Sequence, residues 1–203
     1  WYVWWYRWYA WFVDVVGKRS DFPRKPRDFY PTPFNAVEPL IPHLQRLSTF
    51  VEPMAGNGAL IDALENLTGM KCIWKSDIQP QRKDIKQIDA FDLTLSDYTM
   101  ACDVIITNPP WSRDFLHRAI MWFSMIRPTW LLLDSDWMHT KQSVPYIQYL
   151  HKVQPVGRVK WIADSRHTSK DNVAWHLFSG QPKQDPEKFK FYSRGYHASD
   201  NNR

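Results

Sequence analysis

The chain has 203 residues, which suits one domain with room for a sizeable core. Its formal net charge of +5 and pI of about 9.2 suit a polyanionic partner without requiring one. The two cysteines, Cys72 and Cys102, lack C-x-x-C spacing, which excludes a disulfide framework and favours a reducing cytoplasm. The seven histidines have no metal-ligand spacing, so no metal site is expected.

An unusual extension, residues 1–27, begins the chain and receives no function. Nine of the first twelve residues are aromatic, and residues 17–28 form a basic stretch with two prolines that is typical of a linker. Residues 1–16 are too short and too polar for a transmembrane helix, and they lack the features of a signal peptide. We therefore expect no membrane partner.

Alternating strands and helices are predicted from residue 28 to residue 180. A first helix follows Pro33 and ends near Leu47, interrupted by prolines. The remaining elements are, in order: strand 49–52, helix 58–68, strand 71–76, a weak strand near 86–90, strand 103–107, helix 113–126, strand 129–134, mixed loop and short helix 135–151, and strands 157–163 and 172–179. This order predicts an α/β domain with a mostly parallel sheet, helices on both faces and an antiparallel hairpin at one edge. A polar tail, 181–203, follows.

A glycine turn follows the strand at 49–52. Glu52 ends that strand, and Gly56 and Gly58 let the backbone turn tightly and approach a ligand closely before the helix begins. The turn lacks the full G-x-G-x-x-G pattern, which argues against a pyrophosphate dinucleotide. Asp77 ends the next strand 21 residues after Gly56, where an acid can accept hydrogen bonds from ribose hydroxyls. Glu52 is suited to a cationic amino group, although either acid alone could be a solvated loop carboxylate.

A second motif, Asn108-Pro109-Pro110-Trp111, follows the strand at 103–107. The Asn108 side-chain oxygen and the Pro109 carbonyl can accept hydrogen bonds from an exocyclic amine, which makes its nitrogen more tetrahedral and more nucleophilic. Two prolines stiffen the backbone and pre-aim these acceptors, and Trp111 offers a flat surface to a planar base. Asn-Pro and Pro-Pro are also common loop elements, so the motif alone is ambiguous.

Together these motifs resemble the class I S-adenosylmethionine-dependent methyltransferases, and more narrowly the N6-adenine DNA methyltransferases, including small stand-alone phage members. The resemblance runs from about Asp28 to about Ser179. It implies a Rossmann-like class I methyltransferase fold. The segment 28–33 resembles one that closes over the methionine end of the cofactor. The segment 89–91 resembles one that contacts the cofactor adenine, with Asp92 as a rival for that role.

The resemblance implies a function and a set of site residues. The protein would be an enzyme that transfers a methyl group from S-adenosylmethionine to adenine N6 in DNA. The implied catalytic residues are Asn108, Pro109, Pro110 and Trp111. The implied cofactor-binding residues are Tyr30, Thr32, Pro33, Glu52, Pro53, Met54, Ala55, Gly56, Asn57, Gly58, Asp77, Ile78, Asp89, Ala90 and Asn108. The segments 157–161 and 172–175 form a candidate facing wall, in which Trp161 and Trp175 are either core residues or base contacts.

Other substrates and roles stay open at this point. The same chemistry acts on adenine in RNA or on a glutamine amide in a protein, although the glutamine enzymes usually carry Tyr where this chain has Trp111. A non-catalytic nucleic-acid-binding module is a third reading. Only about 20 residues separate Asp134 from the next predicted strand, which argues against a large recognition region. The expected partner is DNA or RNA, in the cytoplasm or, for a phage protein, the host cytoplasm. The oligomeric state is open.

Overall fold

A computed structural model describes residues 29–92, 102–162, 168–180 and 190–191, the last two as backbone alone. Its centre is an eight-stranded sheet. The extension 1–27 and most of the tail 181–203 lie outside the described residues, so the boundaries drawn before residue 28 and after residue 180 stay predictions. In the described ranges, every helix is too short or too polar to span a bilayer.

The sheet confirms the predicted fold class. Its strands are β1 (Thr49–Glu52), β2 (Lys71–Asp77), β3 (Lys86–Gln87), β4 (Val104–Thr107), β5 (Thr129–Asp134), β6 (Leu150–Arg158), β7 (Asn172–Phe178) and β8 (Lys190–Phe191). They lie in the order β3-β2-β1-β4-β5-β7-β6-β8. Neighbours pair in parallel except β7, which is antiparallel to both β5 and β6.

The helices are α1 (Phe34–Val37), α2 (Ala59–Thr68), α3 (Arg113–Ile126) and α4 (Val144–Ile147). The helix predicted to end near Leu47 is shorter than expected, because a 3-10 helix, Glu38–His43, follows α1. Pro39 and Pro42 have no N–H to donate to the preceding turn, so an α-helix cannot continue through them. Two further 3-10 helices, Ser135–His139 and Lys141–Ser143, precede α4.

The strand predicted at 157–163 was placed too late along the chain. β6 begins at Leu150 and ends at Arg158, and its register shifts between Pro155 and Gly157. A proline cannot donate to the strand ladder, and Gly157 has a φ of +93°, a value that glycine adopts without strain. The bulge allows Pro155 and Gly157 to lie within a paired strand. The sequence pattern does not indicate this bulge.

Side chains alternate between the two faces of the sheet, and each face packs against helices. Phe50 and Ile106 lie in a core cluster with α1, the following 3-10 helix and α2. Val51 and Ile105, one residue away, lie in a cluster with Phe123 of α3. This period-two alternation buries both faces, as expected of a parallel sheet covered by helices.

The strand order reverses direction between β1 and β4. The chain moves outward from β1 through β2 to β3, and then returns to β4 on the other side of β1. Open α/β sheets bind ligands at such a switch point, outside the carboxyl ends of the strands. Glu52 ends β1, Asp77 ends β2 and Asn108 follows β4, so the predicted site residues share this edge.

Candidate active site

A cavity of about 350 Å³ lies at the carboxyl edge of β1, β2 and β4. Its size falls in the range of small-molecule sites, roughly 300–1,000 Å³. Most of the predicted residues line it: Tyr30, Thr32, Glu52, Pro53, Met54, Ala55, Gly56, Asn57, Asp77, Ile78, Asp89, Ala90, Asn108 and Pro110. Four predicted residues, Pro33, Gly58, Pro109 and Trp111, are not among its walls. The geometry thus brings the glycine turn and the second motif to one cavity.

The glycine turn is held in a conformation that needs glycine. Gly56 has a φ of +53°, and a Cβ there would lie 2.7 Å from Cε2 of Phe29. Gly58 has a φ of +82° and precedes α2, and a Cβ there would collide with the guanidinium of Arg82. Larger residues are therefore excluded at Gly56 both by backbone strain and by the Phe29 ring.

Asp77 contacts the glycine turn through one carboxylate oxygen and the loop after its own strand through the other. Its Oδ2 accepts from the Gly56 N–H at 2.8 Å, and its Oδ1 accepts from the Gln79 N–H at 2.7 Å. The Gln81 N–H also donates to the Gly56 carbonyl at 2.9 Å. A carboxylate oxygen accepts more than one hydrogen bond, so Asp77 retains capacity for ribose hydroxyls in addition to positioning the turn.

Glu52 presents a buried, unsatisfied oxygen at the cavity. The side chain is fully buried, and its Oε1 accepts from the Met54 N–H at 3.1 Å. Neither its Oε2 nor the Thr107 Oγ1 makes a hydrogen bond of ordinary geometry within the described residues. Burial raises the pKa of Glu52 to about 8, while the Thr107 hydroxyl and the Met54 N–H favour the ionised form and the Asp77 charge opposes it. Such an oxygen has acceptor capacity for a cationic ligand group.

The second motif meets the cavity through Asn108 and Pro110. The Asn108 Nδ2 donates to the Thr32 hydroxyl oxygen at 3.1 Å, so the amide is held from the segment before α1. Pro109 is buried. With the donor end of the amide engaged, the Asn108 side-chain oxygen is the end available to a ligand amine.

Trp111 is anchored to the sheet by its indole N–H. The ring is half-buried, its Nε1–H donates to the Leu132 carbonyl at 3.0 Å, and it is not a cavity wall. Trp161 lies against its edge with ring centroids 5.9 Å apart, and also contacts Tyr30 at 6.4 Å. Trp175 is a core residue, fully buried, with its Nε1–H on the Ala36 carbonyl at 2.7 Å. Of the two tryptophans on the candidate facing wall, only Trp161 therefore lies beside the site.

Several cavity residues were not predicted: Phe29, Pro31, Ala59, Leu60, Gln79, Gln81 and Phe115. Phe29 and Pro31 lie within the segment 28–33 that resembles a cofactor-closing segment, although neither was among the individual site residues predicted. Ala59, Leu60, Gln79 and Gln81 follow shortly after predicted site residues. Phe115 comes from the first turn of α3 and lies beside Phe91 at a centroid distance of 5.0 Å, with the two rings tilted by 57°. Asp89 and Ala90 line the cavity, whereas their rival Asp92 does not. Within the described ranges, no three His, Cys, Asp or Glu side chains gather into a group that could hold a metal.

Comparison with known proteins gives similarity in structure alone. No protein-family model and no curated protein sequence matches the chain. An inferred RNA methyltransferase from Pyrococcus horikoshii matches with a TM-score of 0.52 at 15% identity, over 80% of this chain and 93% of that one. A dimethyladenosine transferase from Plasmodium falciparum matches with a TM-score of 0.50 at 16% identity, over 77% of this chain and 64% of that one. The chain therefore has the Rossmann-like fold found in class I methyltransferases.

Proposed function

We propose that this protein transfers a methyl group from S-adenosylmethionine to the N6 amine of adenine in DNA. The observation that carries the proposal is a shared cavity. Its walls include the glycine turn with Glu52 and Asp77, and also Asn108 of the Asn-Pro-Pro-Trp motif. A cofactor pocket and a group suited to an amine substrate thus adjoin each other, as transfer between two bound molecules requires.

The cavity residues fit S-adenosylmethionine by their chemistry. Glu52 has a buried acceptor without a hydrogen-bond partner of ordinary geometry, which suits an ammonium group. Asp77 would accept hydrogen bonds from the ribose hydroxyls, and the bare Gly56 backbone permits close approach. Ile78, which is half-exposed, would flank the adenine together with Asp89 and Ala90. When bound, this cofactor supplies an electrophilic methyl group on a sulfonium.

The Asn-Pro-Pro-Trp motif would activate the amine of the target base. The Asn108 oxygen and the Pro109 carbonyl would accept hydrogen bonds from its two N–H groups, which draws the nitrogen lone pair out of conjugation with the ring. N6 would then take the methyl group as S-adenosylhomocysteine is displaced, and would release its extra proton to water. Because both prolines restrict φ, the two acceptors lie on a stiff turn and need little rearrangement. Orientation then contributes most of the rate enhancement, and no covalent enzyme intermediate is needed.

The target base must leave its stack, or be single-stranded already, because its amine cannot otherwise reach the cavity. Trp111 and Trp161 are the aromatic surface that we propose for it. The two rings contact each other edge to face, at an interplanar angle of 79°, so Trp161 buttresses Trp111 on the side of Tyr30. Planar bases stack on such rings with little regard to sequence.

DNA is the substrate that we propose, and RNA is the nearest alternative. The net charge of +5 suits either polyanion. The fold also occurs in a protein described as an RNA methyltransferase, so RNA belongs in the same test. Only short helices and turns connect β5 to β6, which supports weak sequence specificity rather than a dedicated recognition region.

The test is methyl transfer from labelled S-adenosylmethionine to unmethylated DNA, with RNA in parallel, followed by nucleoside mass spectrometry. Asn108→Ala is compared with the parent and with Asn66→Ala, a matched control on the exposed side of α2. N6-methyladenine in DNA from the parent and the control, but not from Asn108→Ala, supports the proposal. N6-methyladenine found only in RNA would show that the substrate is RNA rather than DNA. Cofactor binding without product in either would favour a protein glutamine substrate.

A further inference from the structure

Thr32 and Asn108 meet at the cavity although they are 76 residues apart in sequence. Thr32 belongs to the segment before α1 and is only 6% exposed, whereas Asn108 follows β4. The Asn108 Nδ2 donates to the Thr32 Oγ1 at 3.1 Å, and both residues line the cavity wall. This hydrogen bond links directly two segments that the proposed function assigns to different tasks.

The two ends of an asparagine amide have nearly the same shape and opposite hydrogen-bonding character. The oxygen accepts and the NH₂ group donates. A substrate amine donates hydrogen bonds, so only the oxygen end of the amide can activate it. If the amide were rotated by half a turn, its NH₂ group would face the substrate amine, and both groups would be donors. An asparagine that activates an amine therefore needs a partner that keeps its NH₂ group turned away.

We propose that Thr32 is this positioning residue: its hydroxyl oxygen holds the Asn108 NH₂ group, and thereby directs the Asn108 oxygen toward the substrate amine. The inference rests on the proposed function and deepens it. Thr32 thus acts through Asn108, in addition to any contact that it makes with the cofactor.

The surroundings of Thr32 fix its hydroxyl in place. Pro31 and Pro33 flank it and restrict the backbone on both sides. The Pro33 carbonyl accepts from the Ala36 N–H at 2.9 Å, which ties the segment to the start of α1. Because Thr32 is buried, removal of its hydroxyl oxygen takes away the acceptor that orients the amide.

The first experiment compares Thr32→Val, which has nearly the same shape but no hydroxyl, with Thr32→Ser, which retains it. With cofactor and DNA both saturating, we expect kcat to fall about tenfold or more in Thr32→Val and less than about threefold in Thr32→Ser. The affinity for S-adenosylhomocysteine should change less than about threefold in both. Thr68→Val is the matched control, since its hydroxyl donates to the Leu64 carbonyl at the far end of α2.

A second arm repeats Thr32→Val in an Asn108→Asp background. A carboxylate has two equivalent oxygens, so either end can accept from the substrate amine and no orientation has to be selected. If Thr32 orients the amide, its loss should cost less than about threefold against Asn108→Asp alone, compared with about tenfold or more against the parent. A purely structural role for Thr32 would cost the same factor in both backgrounds.

A third readout does not depend on activity. The Asn108 side-chain NH₂ signals, assigned by their loss in Asn108→Asp, should be protected from solvent exchange in the parent and in Thr32→Ser, and unprotected in Thr32→Val. Full kcat in Thr32→Val, equal losses in the two backgrounds, or unchanged NH₂ protection would each overturn the inference. So would weakened cofactor binding with unchanged kcat, which would make Thr32 a cofactor contact only. An inactive parent that keeps the Thr32-dependent NH₂ protection would instead count against the proposed function.

Discussion

Glu52 and His176 are both fully buried, but they lie in different halves of the sheet. Glu52 ends β1 in the parallel half, where the cavity opens. His176 lies in β7, packed between the rings of Trp137 at 5.7 Å and Phe178 at 6.3 Å, and it is not a wall of that cavity. In each side chain one atom, Glu52 Oε2 and His176 Nε2, has no hydrogen bond of ordinary geometry within the described residues.

The same physical cause acts on the two groups in opposite directions. Burial raises the pKa of Glu52 to about 8 and lowers the pKa of His176 to about 4, because burial disfavours whichever form is charged. A buried polar atom without a partner costs about 1–3 kcal/mol. At Glu52 a cationic ligand can offset this cost, whereas His176 is not a wall of that cavity and nothing bound there would offset it. An unsatisfied atom therefore indicates a binding site when it also faces open volume.

The largest expected effect comes from Glu52→Gln. The amide has nearly the same shape but no charge, so it should weaken S-adenosylhomocysteine binding by about 10- to 100-fold, the equivalent of one charge-assisted hydrogen bond of about 1.5–3 kcal/mol. Isothermal titration calorimetry at pH 8 measures the change. Unchanged affinity would remove Glu52 from the cofactor site.

The same substitution should have the opposite effect on the stability of the free protein. Glu52 has its ordinary pKa of 4.5 when unfolded and about 8 when folded, so its contribution is present at low pH and is lost as pH rises from about 4.5 to about 8. Glu52→Gln should remove this loss and stabilise the free protein at pH 8, by on the order of 1–3 kcal/mol. Urea unfolding of the parent and of Glu52→Gln at pH 5 and pH 8 tests the sign. A parent that is less stable at pH 5 than at pH 8, relative to the variant, would contradict it.

The second prediction compares Gly56→Ala with Gly69→Ala. Both glycines have positive φ, +53° and +73°, so both substitutions should cost about 1 kcal/mol in backbone strain. A Cβ at Gly69 would meet no atom within 4 Å, whereas at Gly56 it would lie 2.7 Å from the Phe29 ring. Only Gly56→Ala should therefore weaken cofactor binding, by roughly tenfold. Equal affinities in the two variants would show that the turn does not approach the ligand.

The sequence predicted the parallel half of the molecule well, because its signals are local. Buried strands such as β4 and β5 are continuous apolar runs, and α3 has an apolar periodicity that matches its observed limits, 113–126. β6 was misplaced because Pro155 and Gly157 disfavour a strand locally. Pairing with β7 across a bulge overrides that preference, and such pairing is a tertiary effect.

The site was predictable to the extent that its chemistry lies in short motifs. Gly56, Asp77 and Asn108 could be selected because each follows a predicted strand, and parallel strands bring their carboxyl ends together. The bond from Trp111 to the Leu132 carbonyl and the bond from Asn108 to Thr32 join distant segments. The spacing of residues along the sequence does not predict either contact. The bond from Trp111 decides whether its ring is anchored to the sheet, and the bond from Asn108 decides how its amide is held.

The third prediction concerns His176→Leu, which replaces the buried polar ring by an apolar side chain. The imidazole has its ordinary pKa of 6.5 when unfolded and about 4 when folded, so the parent should lose stability as pH falls from about 6.5 to about 4. His176→Leu should reduce this loss of unfolding free energy at acid pH by about 1–2 kcal/mol and leave cofactor affinity unchanged. Thermal melts of the two proteins at pH 5 and pH 7 measure the change. An equal loss of stability between pH 7 and pH 5 in the variant would show that His176 is not its cause.

The smallest effect is expected at Arg82, which covers Gly58 from the solvent side. Its guanidinium bonds Asp62 of α2 at 2.8 Å and Asp84 at 2.7 Å, and Asp84 also pairs with Lys75. Its two acidic partners and Lys75 are all partly exposed, so water and salt screen the network. Arg82→Gln should lower Tm by about 3 °C or less at low salt, and by less at high salt.

Arg46→Gln is the matched control, because it removes the same charge from an exposed residue outside this network. Since Arg82 contacts the glycine turn only at its outer surface, cofactor affinity should change less than about threefold in Arg82→Gln. A tenfold loss, or a Tm shift that does not depend on salt, would mean that the guanidinium holds the turn as firmly as Asp77 does. The cavity at the carboxyl edge of the sheet would then depend on its surface charges as much as on its buried acceptors.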